Sequence, residues 1–277
     1  MEGREVCSRG AQNANGVSLQ NLALPEPMNE RDRTYFLERV GREMEADLAA
    51  PDMPVPEALA LGCRILAAEG HESGLAGQVT ARGGEPGTWW TLQFGYGFEE
   101  ASPERMVLVD EDLRPLKGGR PNPGVRFHVW IYRRRPDVHA IVHTHAPHAS
   151  ALAATGKPLR TIHMDAAMLH GTAHLAEWPG VPVADDEGRI ISAALGDAKT
   201  ILLANHGLLA AGASVEEAVY LAVFFERAAR MQLRAMAAGG FREVKPELAQ
   251  EARAFLLQPS IVRGTFAYWA RRLARAA

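Results

Sequence analysis

The stretch HAIVHTHAPH (139–148) puts four of the chain's ten histidines into ten residues, directly after and within an apolar run. VHAIVHTH (138–145) reads as a strand. Residues two apart on a strand share a face, so His143 and His145 project together; on a helix they would splay apart. The strand stops before Ala146 and Pro147, which places the pair at a sheet rim. Pro147 suits the first turn of a following helix, HASALAAT. A further histidine, His206, sits in LLANHGLLAAG (202–212), between two short apolar strands. A polar ring there costs free energy unless it has a partner. Three neutral imidazoles suit zinc or iron(II) and leave coordination positions open for a substrate. Two plainer readings stand beside this one: His-x-His alone is a weak motif, and a lone His206 could be a hydrogen-bonded core residue. His139 reads as a surface residue and His148 as a helix N-terminal one. His128, His163, His170 and His174 read as structural residues or as supports behind the ligands.

Around these strands the period alternates. Helical spacing begins at Asn29, with Tyr35, Phe36, Val40 and Met44 on one face. PDMPVP breaks it, and PEALALGCRILAAEGH forms a second helix stopped by Gly70. GQVTAR (77–82), WWTLQF (89–94) and MVLVD (106–110) read as strands between Gly and Pro turns. VRFHVWIYRRR (125–135) is helical and ends before Pro136; its RRR is a solvated helix end. TILLA (200–204) and LLAAG (208–212) flank the NHG turn. SVEEAVYLAVFFERAARMQLRAMAAGG (214–240) is a long amphipathic helix with a Ser214/Glu217 capping box and a glycine stop. Two more helical stretches close the chain. Interleaved helices and strands predict one α/β domain with a mixed sheet. Residues 1–29 are aperiodic and polar and read as a flexible arm, leaving 30–277 as a single catalytic domain.

A net charge of −3 over 277 residues argues against a nucleic-acid partner. No apolar run is long enough for a membrane span, and MEGREVCSRGAQNANG has no secretory core. Cys7 and Cys63 form neither a disulfide framework nor a zinc-like spacing. A cytoplasmic protein is expected.

GLAGQVTAR (74–82), VRFHVWIYRRRPDVHAIVHTHAPHASALAA (125–154) and GDAKTILLANHGLLAAGASVEEA (196–218) resemble the class II aldolase/adducin family over residues 54 to 240. The resemblance implies a three-layer αβα fold around a largely antiparallel sheet, a homotetramer with sites at subunit interfaces, and His143, His145 and His206 as metal ligands. The departures narrow the chemistry. The aldolases' proton-shuttling Glu, two residues before Arg-Phe-His, is here Gly124, and glycine cannot move a proton. Their phosphate-holding Gly-Asn and Ser-Ser pairs read Gly77-Gln78 and Asn122-Pro123, and proline has no N–H to donate. The tyrosine expected after Ile-His is absent from IHMDAAMLHG (162–171). The metal grip looks intact and the acid/base and phosphate machinery does not.

Such losses resemble the bifunctional non-haem iron oxygenases of aminocoumarin antibiotic biosynthesis. That resemblance implies Fe(II) with O2 as co-substrate, and a small aromatic 2-oxo acid, a prenylated 4-hydroxyphenylpyruvate, taken through a mandelate to a prenylated 4-hydroxybenzoate. Gln78, Tyr96, Asn122, Arg126, His128, His163 and Asp165 are the candidate substrate contacts or supports behind the ligands. Tyr96, between two glycines, is the aromatic best placed to face a ligand. One alternative is a zinc-dependent class II aldolase or epimerase acting on a non-phosphorylated substrate, with Asp165 as the nearest acid. The other is a non-catalytic, adducin-like interaction module, against which three intact histidines weigh.

Overall fold

The computed structural model describes residues 33–71 and 73–276; the arm 1–29 and Cys7 lie outside them. The chain divides into two units, one ending at Glu43 and the other spanning Met44–Ala277. In chain order the elements are α1 (Arg33–Asp47), α2 (Val55–Ala68), β1 (Gln78–Arg82), β2 (Trp89–Leu92), β3 (Met106–Val109), β4 (Pro115–Lys117), α3 (Arg126–Arg134), β5 (Ala140–Thr144), α4 (Pro147–Ala154), β6 (Ala173–Leu175), α5 (Asp185–Leu195), β7 (Thr200–Leu203), β8 (Gly207–Gly212), α6 (Val215–Ala237), α7 (Pro246–Leu256) and α8 (Pro259–Ala276).

The eight strands form one sheet in the order β4-β3-β2-β1-β5-β8-β7-β6. Every neighbouring pair is antiparallel except β6 with β7. Helices cover both faces, as expected for three αβα layers. Alternation along each strand feeds two cores. Val79, Ala81, Ala140, Val142, Leu208 and Ala210 join the core beneath α2, α4 and α6. Ile141, Ile201, Leu203, Leu209 and Ala211 join the core beneath α3 and α5. Burial on both faces explains why β5, β7 and β8 read as continuous apolar runs rather than as half-polar strands.

The helices begin where the local chemistry predicts, with one variation. Ser214 Oγ accepts from the Glu217 N–H at 3.2 Å. Glu217 reaches one residue further back than a capping box requires. Its Oε2 accepts from the Ala213 N–H at 2.6 Å, while Oε1 pairs with Lys199 at 2.7 Å. On α4 a glutamate from another helix does the capping. Glu226, on α6, accepts from the N–H groups of His148 at 2.9 Å and Ala149 at 2.8 Å, and from His148 Nδ1 at 2.6 Å. Orphan amides at a helix start are thereby satisfied by a nearly buried carboxylate. His148 is thus a helix-start residue, as its position predicts.

Three elements fall outside the predicted set. β4 and β6 have three residues each, too few for a period. α5 is preceded by Ala184, which offers no side-chain cap, and carries Gly188 in its interior. That glycine is there for packing, since a Cβ would meet the Trp130 ring at 2.3 Å. The arginine run 133–135 ends α3 as expected, with Arg133 and Arg134 exposed, and two of the three arginines also have partners. Arg133 pairs with Glu111 at 2.9 Å, and Arg135 pairs with Asp137 and donates to the carbonyls of Gly196 and Ala198.

Candidate metal centre

β5 ends at Thr144, so His143 is its last inward-facing side chain on the α3 side and His145 lies one residue beyond the strand. Phe127 packs edge-on against the His143 ring at 5.2 Å. His206 arrives from the neighbouring hairpin. β7 and β8 are antiparallel partners, and the turn between them places Asn205 at φ 53°, the left-handed region that asparagine tolerates. Gly207 then admits β8 to β5: a Cβ there would stand 2.3 Å from the Thr144 carbonyl oxygen. The three rings meet with centroids 4.6 to 5.0 Å apart. One ligand atom from each lies within 4.8 Å of the others.

The chemistry of this set fits a metal ion. His143 Nδ1 lies 2.8 Å from the Leu208 carbonyl oxygen. A carbonyl only accepts, so Nδ1 carries the proton and Nε2 offers its lone pair to the cluster. The Nε2 atoms of His143 and His145 are 3.2 Å apart. Two nitrogens each about 2.0–2.1 Å from one tetrahedral zinc would be about 3.3 Å apart. All three imidazoles are held neutral. Burial depresses His143 well below its usual pKa, with the neighbouring imidazoles adding to the effect. Burial likewise lowers His145, and it brings His206 down to about 4. Neutral imidazole is the form that binds a metal.

The histidines open into a cleft of about 450 Å³, walled by Leu75, Phe94, Val181 and Val183, with Gln78 and Asn122 as polar groups. Gln78 sits opposite His143 in the β1–β5 register. Asn122 is a turn-former: its Oδ1 accepts from Gly124 N–H at 2.9 Å and its Nδ2 donates to the Leu75 carbonyl at 2.7 Å. Gly124 lines the cleft, and a Cβ there would meet Gln78 Nε2 at 2.7 Å. The glutamine therefore occupies the space beside which a longer residue at 124 would stand.

The other candidates lie elsewhere. Tyr96 is half-buried beneath the Arg105 guanidinium, 4.2 Å from its ring centroid, and is not in the cleft lining. Phe94, two residues earlier in the same aromatic run, is the residue that faces it. Arg126 donates to Asp185 at 2.7 Å and to the Glu111 carbonyl at 2.8 Å. His128 lies behind the ligands, fully buried, paired through Nδ1 with Thr80 Oγ1 at 2.9 Å. His163 and Asp165 line a different cleft, with Phe224, Arg227 and Arg230; the chain does not bring them to the histidines. The residues sequence reasoning missed are Ser73, whose Oγ accepts from the His145 N–H at 2.8 Å, and the apolar pair Val181 and Val183.

Two buried histidines set an acid limit. His71 pairs with Thr144 Oγ1 at 2.9 Å, and burial pushes both His71 and His128 down to about 3. Unfolding frees both to protonate near 6.5, so the unfolded chain binds more protons as pH falls. Stability is thus fully present above about 6.5 and declines from there towards 3, by up to about 1.4 kcal/mol per pH unit for each group. Metal-free protein is expected to lose melting temperature steadily between pH 6.5 and 4.5. A flat profile in a pH series of thermal melts would overturn this.

Residues 57–233 match the family model described as Class II Aldolase and Adducin N-terminal domain. The chain is 35% identical over 207 residues to the 3,4-dihydroxyphthalate decarboxylase of Arthrobacter keyseri, covering 69% of this chain and 82% of that one. It is 30% identical over 184 residues to the 4-hydroxy-3-prenylphenylpyruvate oxygenase/4-hydroxy-3-prenylbenzoate synthase of Streptomyces roseochromogenus subsp. oscitans, covering 65% of this chain and 66%, just under two thirds, of that relative. The L-fuculose 1-phosphate aldolase structure from Glaciozyma antarctica PI12 superposes with a TM-score of 0.75 at 26% identity, covering 84% of this chain and 96% of that one. Further curated relatives are named as sugar-phosphate aldolases. These findings correct the expectation of an iron(II)- and O2-dependent oxidoreductase of aminocoumarin biosynthesis. Among the described residues the cluster is three histidines with no carboxylate. That set is typical of the zinc-dependent aldolases, whereas a non-haem iron(II) oxygenase is expected to present two histidines and one carboxylate. Aldolase names also dominate the relatives, and none of them singles out the oxygenase branch. Among the described residues no helix is long and apolar enough to cross a membrane. With matching fold, motifs and site, the chain belongs to the class II aldolase and adducin family.

Proposed function

We propose that the protein is a zinc-dependent lyase of this family that breaks a carbon–carbon bond in a non-phosphorylated substrate. The observation that carries this reading is a three-histidine cleft in which Gln78, Pro123 and Gly124 stand where phosphate donors and a proton shuttle would be needed. His143, His145 and His206 would hold the ion. Bound zinc supplies Lewis acidity, drawing electron density away from the breaking bond.

The chain's own residues do the rest. The Leu208 carbonyl fixes the tautomer of His143, so its lone pair stays directed into the cleft. Ser73 fixes the backbone of His145. Leu75, Phe94, Val181 and Val183 line the cleft with exposed apolar surface that a non-polar part of a substrate would cover. Among the described residues, the lining has no Asp or Glu. It therefore suits bond cleavage that needs no side-chain carboxylate as base, such as loss of CO2, better than proton abstraction from carbon.

The test is product release under argon. Zinc-loaded protein is incubated with hydroxylated carboxylic acids and non-phosphorylated ketoses, and CO2 and aldehyde are measured. Release that requires zinc and no O2 is the expected result. Turnover that survives exhaustive chelation would refute the reading.

A further inference from the structure

The histidine cleft does not end at its apolar wall. Pro123 and Val183 line it and also line a neighbouring cleft, so the two meet there. The neighbouring cleft carries Arg114, Arg120 and Arg126 against one acid, Asp112. Two of these arginines are engaged. Arg126 holds Asp185 at 2.7 Å, and Arg114 lies 3.3 Å from Asp112. Among the described residues the Arg120 guanidinium meets no acid. Its backbone is nevertheless pinned at the seam. The Arg120 carbonyl accepts from the Phe94 N–H at 2.8 Å, and the next residue, Pro121, bridges to Gln93. Phe94 is itself part of the histidine cleft. A five-donor fork thus extends from a pinned backbone into the neighbouring cleft, exposed and with no counter-charge of its own.

A second observation comes from inside the cleft. Gln78 is 7% exposed, and its Oε1 has no hydrogen-bond partner. Its amide cannot be turned to cure this, because Nε2 donates to the Ala76 carbonyl and a flip would set two oxygens face to face. An unpaired buried acceptor costs about 1–3 kcal/mol until a donor arrives. A phosphate or carboxylate would repel it; a hydroxyl would satisfy it.

We propose that the substrate is a hydroxylated carboxylic acid, with a hydroxyl donating to Gln78 beside the histidines and its carboxylate held by Arg120 at the seam of the two clefts. The proposal rests on the zinc-lyase reading and assigns the ends of the molecule that the site would take. Arg120 acts as an anchor, and its planar fork matches a carboxylate in a bidentate pair.

Calorimetry on the full chain tests it, with catechol and 3,4-dihydroxybenzoate as a matched pair of ligands that differ by one carboxylate. On zinc-loaded protein the acid is expected to bind about ten-fold more tightly than catechol. In Arg120→Ala that preference falls to within about two-fold, and Arg120→Lys, which keeps the charge without the fork, restores only part of it. Inorganic phosphate at equal concentration should not displace the acid. A preference that survives Arg120→Ala, no preference in the parent protein, or displacement by phosphate would each overturn the proposal. The two readings fail differently. Catechol that binds only the zinc-loaded chain, with no gain from the carboxylate, removes Arg120 and leaves the zinc site standing. Binding indifferent to zinc removes both.

Discussion

His206→Ala is expected to yield a folded protein that has lost its zinc. His206 projects from a turn into the cleft and is only half-buried, so its removal leaves no large core cavity. The cost falls on the ion. Removing even a residue that merely supports a ligand typically weakens metal binding by about 10–100-fold. Removing one of three direct ligands should exceed that, by about 1,000-fold or more, or about 4 kcal/mol. Competition against a chromogenic chelator measures it, and the far-UV circular dichroism should stay at the parent level. Parent-like affinity in this variant would mean that the three rings converge for another reason. His143→Ala should lose zinc equally. It should also lose stability, because that ring is 1% exposed and packs on Phe127.

The second large effect is expected from Gly207→Val. The clash is with backbone: a Cβ would lie 2.3 Å from the Thr144 carbonyl oxygen and 3.3 Å from the His145 Cα. No rotamer relieves it, since Cβ itself is the offending atom. β5 and β8 must separate at the point where they carry the ligands. A loss of about 3–5 kcal/mol is expected, or a fall in melting temperature of about 10 °C or more for a unit of this size. Whatever folded protein remains should bind zinc poorly. An unchanged melt would mean that the strands do not approach as closely as described.

The parts of this molecule legible from sequence are those whose signal is periodic or chemically unusual. The apolar runs of β5, β7 and β8 and the 23-residue amphipathic α6 declared themselves because burial dictated every position. The histidines stood out because polar rings in apolar strands need a reason. The cleft walls gave no such signal. Val181 and Val183 lie in an irregular segment between β6 and α5, and tertiary contacts alone bring them beside β5. The aromatic stretch 89–98 showed that a ring would be available, but register and turn geometry decided that it was Phe94 rather than Tyr96. The lesson of Asp165 is similar. It is near His143 in sequence by a single helix and loop, yet a short 3-10 segment, Met164–Leu169, directs it to another cleft. The choice of metal illustrates the reverse error. The missing glutamate at 124 drew the reading towards redox chemistry, while the ligand set itself still matched the aldolases.

The two outer strands of the sheet have a consequence of their own. β4 and β6 have three residues each, and β4 is Pro-Leu-Lys. An edge this short offers few free amides, proline supplies none, and lysine resists burial against another strand. Among the described residues the sheet therefore ends in short strands, and the β4 rim in particular is a poor template for a strand from another molecule. Little of the hydrogen-bonding capacity that drives fibrous aggregation is left free at either rim.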